Sequence, residues 1–147
     1  MYKHLFSISI YLIMFSAIGQ EATTAHKDSL TQLVNEYYEL SEVIFQKEST
    51  PDQIDSLFSL YTSDFQYVHE KYGGVYTRQD LYEGYLRNQS NGGYDGSVKA
   101  IEVVQMMTGL NAVAVIKRFI LKEEPSEEQM TLFEFRNGKI SRIVEYW

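Results

Sequence analysis

Cysteine is wholly missing from this 147-residue chain, and that absence removes several classes of chemistry. A thiol nucleophile, a thiolate zinc site, a disulfide framework and lipid attachment through an N-terminal cysteine are all excluded. Histidine is nearly as scarce: of three, His4 and His26 fall near the start, and His69 stands alone in the remainder. A site built from several imidazoles is therefore excluded as well, and neither a metal nor a cofactor is expected. Basic charge is outweighed, with 13 Lys and Arg against 20 Asp and Glu and a formal net charge of −7. Phosphate backbones and anionic lipid repel such a chain, so nucleic acid is not an expected partner. No Ser-His-Asp order, nucleotide fingerprint or calcium loop stands out, and Gly73-Gly74 lacks the helix-and-lysine context of a phosphate cradle.

The apolar run from Leu5 to Ile18 is shorter than the roughly 20 residues that a spanning helix needs. With Lys3 before it and the small residues of Ala17-Ile18-Gly19 after it, the segment 1–19 reads as a cleaved export signal. Cleavage there leaves Gln20 or Glu21 near the mature N-terminus and removes Lys3, so the formal charge moves from −7 by one unit to −8. The expected product is exported, periplasmic or extracellular, and has no membrane association after cleavage. Residues 20–27 read as a polar lead-in and residues 28–147 as one domain. A hydrophobic fraction of 44% gives a domain of this size a core that holds without disulfides.

Leu30, Leu33, Val34, Tyr37, Leu40, Ile44 and Phe45 recur at helical spacing and form one apolar stripe. Thr50, Pro51 and Gln53 make a second helix start, with Ile54, Leu57, Phe58 and Tyr61 on its buried face. FQYVHE then alternates Phe65, Tyr67 and His69 against Gln66, Val68 and Glu70, the period of a strand. Thr77 and Asp80 open a third helix, in whose interior Gly84 predicts close packing against a neighbour. From Ser97 onward the chain reads as strand, with a turn near Gly109-Leu110, an acidic loop over 123–128, and a final hairpin turning at Asn137-Gly138. The order predicts an α+β fold with helices on one face of a curved sheet.

That order, with the phrases LFSLYTSDFQYVHEKYGGVYTRQDLYEGYL, NAVAVIKR and FRNGKISRIVEYW, resembles the nuclear transport factor 2-like superfamily, particularly its SnoaL-like and related uncharacterised branches. The resemblance spans the chain from the first helix onward. It implies a cone-shaped domain, three N-terminal helices packed on a mainly antiparallel sheet, with a deep pocket between sheet and helices. It also implies dimerisation through the outer sheet face. Glu145-Tyr146 in the last strand resembles the active-site position of hydrolase members, where a shorter aspartate is usual.

Unbroken pairing from the Asn137-Gly138 turn sets Phe135 against Ile140 and Phe133 against Arg142. One face then carries Thr131, Phe133, Phe135, Ile140, Arg142, Val144 and Tyr146, and the other Met130, Leu132, Glu134, Ser141, Ile143, Glu145 and Trp147. A carboxylate among such apolar neighbours makes Glu145 the leading candidate for a general acid or base. The bland alternative is a rim carboxylate paired with an arginine. His69 is the second catalytic candidate, although its place at a strand end equally suits a solvent-touching histidine. Arg118 shares a face with Ala112, Ala114, Ile116 and Ile120 and needs an anion, which is Glu145, Glu134 or a ligand carboxylate. Lys117, on the opposite face, reads as a surface charge. Tyr67 and Tyr85 are placed to meet over a cavity, with core packing as their alternative. With Arg118 and Trp147 they complete the expected ligand-binding set. Three functions stay open: a pocket protein for a small, partly apolar molecule, an acid–base enzyme of the dehydratase, isomerase or hydrolase type, and an interaction module whose cavity is filled by its own side chains.

Overall fold

The Thr23 hydroxyl accepts a hydrogen bond from the His26 backbone and starts a 21-residue helix, α1 (Thr24–Ile44). The computed structural model describes residues 23–147; the expected signal 1–19 lies outside them. Residues 24–27, expected to be lead-in, are the first turn of this helix, because Thr23 satisfies an end of the backbone that would otherwise be unpaired. The second helix, α2 (Pro51–Ser59), begins where expected, with the Thr50 amide donating to Gln53 Oε1 at 2.8 Å. It ends before Tyr61, which opens β1 (Tyr61–His69) instead of completing the helix. A single 3-10 turn at Glu70–Tyr72 leads to a short strand, β2 (Gly74–Thr77). Thr77 and Asp80 then cap α3 (Arg78–Ser90) reciprocally. The third helix therefore follows two strands, so the helices are not all N-terminal as expected.

Four long strands complete the chain: β3 (Val98–Thr108), β4 (Ala112–Leu121), β5 (Gln129–Arg136) and β6 (Lys139–Tyr146). The sheet is six-stranded, curved and unclosed, in the order β2-β1-β6-β5-β4-β3. Every pairing is antiparallel except β1 with β6. Helices cover its inner face. There Val34, Ile44, Ile54, Leu57, Val113, Val115, Phe133 and Ile140 lose all contact with solvent. Phe133 lies at the centre, edge-on to Tyr37 and Tyr38 at 5.0 and 5.7 Å between ring centroids.

The closing hairpin turns at Asn137-Gly138 as expected, both residues having positive φ (55° and 71°), as a primed turn requires. Its register then departs from the unbroken pairing. Arg136 pairs with Lys139 and Phe135 with Ile140, but Glu134 meets Arg142, Phe133 meets Ile143 and Thr131 meets Glu145. One extra residue, Ser141, bulges from β6, and its hydroxyl donates to the Glu134 carbonyl at 3.1 Å. Past the bulge the inward set switches from Ile140 to Ile143 and Glu145, while Arg142 and Tyr146 turn outward. Glu145 thus does share a face with Ile143, yet its cross-strand partner is Thr131 rather than Met130, and Leu132 pairs with Val144 on the other face.

Truncating Phe133 removes the ring that joins α1 to β4, β5 and β6. Phe133→Ala should lower unfolding free energy by about 3–5 kcal/mol, seen as a lower urea midpoint at unchanged slope. A loss under about 1 kcal/mol would show that this ring is not central to the core.

Candidate functional site

A row of paired residues crosses the inner sheet face: Val115 on β4, Thr131 on β5, Glu145 on β6 and His69 on β1. One strand position along, Lys117 pairs with Gln129. The bulge and the parallel β1–β6 pairing bring these polar groups together under the helices. Glu145 is only 7% exposed and Lys117 only 3%. Glu145 Oε2 accepts from Thr131 Oγ1 at 2.7 Å and from Trp147 Nε1 at 2.8 Å. Lys117 Nζ stands 3.6 Å from the same oxygen, an ion pair rather than a hydrogen bond, and donates to Gln129 Oε1 at 3.0 Å. Among the described residues no hydrogen bond reaches Glu145 Oε1.

A buried pair of this kind persists only where further polar groups satisfy it, and Thr131, Trp147 and Gln129 do so. Burial pushes the Lys117 ammonium below its ordinary value, with the Glu145 charge opposing. Its positive end also lies over the Phe119 ring, 4.6 Å from the centroid, and 5.6 Å from that of Trp147.

Two adjoining cavities lie beside this pair, and the pair lines the inner one. The inner chamber, about 230 Å³, is walled by Tyr37, Tyr38, Ser41, Phe45, Ile101, Phe119, Lys117 and Glu145. The outer vestibule, about 520 Å³, is lined by His69, Tyr72, Tyr76, Asp80, Gly84, Arg87, Asn88 and Tyr94. Tyr67, Leu81, Tyr85 and Trp147 line both and form the neck between them. The core is therefore open at Glu145. Helix α3 roofs the vestibule with Leu81, Gly84, Tyr85 and Asn88, one face at helical spacing, and none of its residues is fully buried. Gly84 does not mark close packing: a Cβ there would meet only Arg87 Nη2, at 3.9 Å. Its missing side chain leaves room in the vestibule wall.

The expected residues divide. Glu145, Tyr67, Tyr85 and Trp147 converge at the neck and inner chamber, and Trp147 lies edge-on to His69 with ring centroids 4.6 Å apart. His69 is 3% exposed, not the solvent-touching residue that a strand end suggests. Neither ring nitrogen has a hydrogen-bond partner among the described residues. Burial lowers its pKa; Glu145 opposes and Lys71 adds to the lowering. Arg118 lies elsewhere. It faces outward and holds Glu102 in a two-point pair at 2.8 and 3.1 Å, an anion from the neighbouring strand. The inward cation is Lys117, because Val113, Val115 and Lys117 form the buried alternation of β4. That alternation is visible in the sequence, where both faces of β4 are apolar and neither is marked as inner.

Sequence reasoning also missed Tyr37 and Tyr38 as site residues: Tyr37 sits on the apolar stripe of α1 and reads as core, and Tyr38 falls beside that stripe. Both are core, and both also line the chamber. The Tyr38 hydroxyl is buried without a partner among the described residues. Burial raises Tyr37, Tyr38, Tyr67 and Tyr85 well above the ordinary phenol value, so these hydroxyls stay protonated and able to donate. Among the described residues no three His, Cys, Asp or Glu side chains converge to hold a metal. No helix there is long and apolar enough to cross a membrane.

No family model and no curated protein matches the chain by sequence. Solved structures do match its fold. A nuclear transport factor 2-like protein of unknown function from Burkholderia xenovorans superposes with TM-score 0.58 at 18% identity, over 81% of this chain and 82% of that one. A candidate ketosteroid isomerase from Kribbella flavida gives 0.60 at 15% identity, over 82% and 78%. A candidate polyketide cyclase from Sinorhizobium meliloti gives 0.56 at 13% identity, over 80% and 98%.

Because the folded His69 binds its proton more weakly than the unfolded one, the unfolded state takes up more protons below the ordinary value of 6.5. The His69 contribution is fully present above that value and is lost as pH falls through it toward the folded pKa. Urea midpoints measured from pH 7.5 to 5 should fall, and His69→Phe should flatten that fall; an unchanged slope would exclude His69 as its source.

Proposed function

From a chain with the nuclear transport factor 2-like fold and an open core, we propose a protein that binds one small, partly apolar molecule in the two-part pocket. The observation that carries this reading is the Glu145 carboxylate on the wall of the inner chamber, held through one oxygen and without a hydrogen bond at the other among the described residues. Aromatic walls supply the apolar contact, while Glu145 and the tyrosine hydroxyls supply orientation, the usual division of labour in ligand sites. The Tyr38 hydroxyl and His69 nitrogens, without partners among the described residues, are further buried groups that a ligand would satisfy.

The second reading is an acid–base enzyme of the same pocket. It is favoured by two titratable groups facing one neck, Glu145 from the inner side and His69 from the outer, with Trp147 between them. Glu145 takes a proton from one substrate carbon or oxygen and His69, neutral at pH 7, exchanges one at the other end. We also propose export, from segment 1–19, and pairing of two copies through the outer sheet face. That face exposes Val104, Met107, Met130 and Tyr146, an apolar surface that a second copy would cover.

Native mass spectrometry of protein purified from its own host tests these together. The expected spectrum shows a dimer, each copy starting near Gln20 and carrying one bound small molecule. A ligand-free protein whose single tryptophan, Trp147, gives no fluorescence change with any of a broad panel of small aromatic and alicyclic compounds would sink the binding reading. For the enzyme reading, Glu145→Gln should lower turnover about 10²- to 10⁴-fold while ligand still alters Trp147 fluorescence. Equal turnover in the variant removes Glu145 from the chemistry.

A further inference from the structure

Among the described residues Lys117 is the one primary amine on the wall of the inner chamber. The pocket role proposed above does not use it beyond its charge. It is an unusual nitrogen in this protein. Its side chain is 4% exposed, and its neighbours are a carboxylate at 3.6 Å, the Gln129 amide oxygen at 3.0 Å, and the faces of Phe119 and Trp147. An amine desolvated in this way, beside a group able to take its proton, has the two features that make a lysine nucleophilic.

We propose that Lys117 captures small aldehydes or ketones in the inner chamber as a reversible imine, with Glu145 as the proton carrier. This rests on the reading that the chamber admits a small molecule. Glu145 first takes one proton from the Lys117 ammonium. The freed Nζ lone pair then forms a bond to the carbonyl carbon, and the carbonyl π pair moves onto oxygen, which is protonated as Nζ gives up a proton. A second proton, returned through Glu145, lets that oxygen leave as water while the nitrogen lone pair closes the C=N bond. Carbonyl compound and ammonium become protonated imine and water, with no change of oxidation state and with Glu145 ending as it began.

Two further features of the site suit that sequence. The product cation stands where the ammonium stood, and both groups are neutral while Glu145 carries the proton, so the buried carboxylate is never charged without its counter-charge. Gln129 Oε1 holds Nζ on the β4–β5 side, with the carboxylate on the other. The substrate class is set by the walls. A compact carbonyl compound whose remainder is a ring or short branched chain would lie against Phe45, Phe119 and Tyr37, and a bulkier tail would extend past Tyr67 into the vestibule.

The test uses benzaldehyde, with sodium cyanoborohydride to reduce any imine to a stable secondary amine, followed by digestion and peptide mass mapping. Lys117 should be labelled at least about tenfold faster than any exposed lysine, and that label should vanish in Lys117→Arg, which keeps the positive charge beside Glu145. Benzyl alcohol, which has no carbonyl, is added in parallel and followed by Trp147 fluorescence. If benzyl alcohol changes the fluorescence while only surface lysines are labelled, the imine proposal is overturned and the binding reading stands. If neither Lys117 labelling nor a fluorescence change is seen, both are overturned. Labelling of Lys117 in the unsubstituted protein needs no variant to fold, and a Lys117→Met protein serves as the blank if the arginine does not fit.

Discussion

A single extra residue in the last strand governs the interior of this protein. Without the bulge at Ser141, strict alternation from Ile140 would send Arg142, Val144 and Tyr146 inward and leave Glu145 outside. With it, Ile143 and Glu145 face the helices, and a carboxylate is carried into a core of aromatic rings. The rest of the site follows as a response to that charge. Thr131 and Trp147 donate to it, Lys117 balances it, and Gln129 accepts a hydrogen bond from the lysine. Thr131 is the cross-strand neighbour of Glu145 and Trp147 lies two residues along β6, while Lys117, paired with Gln129, reaches across β5 from β4, so the sheet register sets the geometry of the network.

The pocket exists for a related reason. α1 packs its stripe against Phe133, Val113 and Val115, whereas the roofing face of α3 offers one leucine, Leu81, beside Gly84, Tyr85 and Asn88. Such a face roofs a space without filling it. The cost of an unfilled apolar space is lowered here because its walls carry hydroxyls, a carboxylate and an ammonium that a ligand or solvent can engage. Likeness of fold alone does not say which chemistry this space serves, since one architecture hosts many activities. The groups that differ from a plain core, Glu145, Lys117, Tyr38 and His69, are what give the chamber a character of its own.

Much of the architecture was legible along the chain. The helix starts at Thr50 and Thr77 were readable because capping is a local exchange of hydrogen bonds within four residues. The alternation of Phe65, Tyr67 and His69 and the Asn137-Gly138 turn were readable for the same reason, and so the inward placement of the pocket tyrosine on β1 could be anticipated. Glu145 was singled out correctly as inward, though on a register that the structure does not keep. Arg118 and Lys117 exchanged places relative to expectation. Both faces of β4 are apolar, so alternation alone marks two candidate faces and does not choose between them.

What the sequence determined by itself is what short-range chemistry marks plainly: the helix starts at Thr50 and Thr77, the Asn137-Gly138 turn, the long strands after Ser97, the α+β class, and the exclusion of thiol and imidazole-cluster sites, but not the Thr23 cap or the short strand β2. What only the tertiary structure decided is which side of each strand looks inward, that Lys117 rather than Arg118 meets Glu145, and that Tyr37 and Tyr38 are walls as well as core. The physical reason is the two-residue period of a strand. One bulge anywhere along β6 inverts every residue beyond it, and nothing in LFEFRNGKISRIVEYW announces that Ser141, with its hydroxyl on the Glu134 carbonyl, is where the inversion falls.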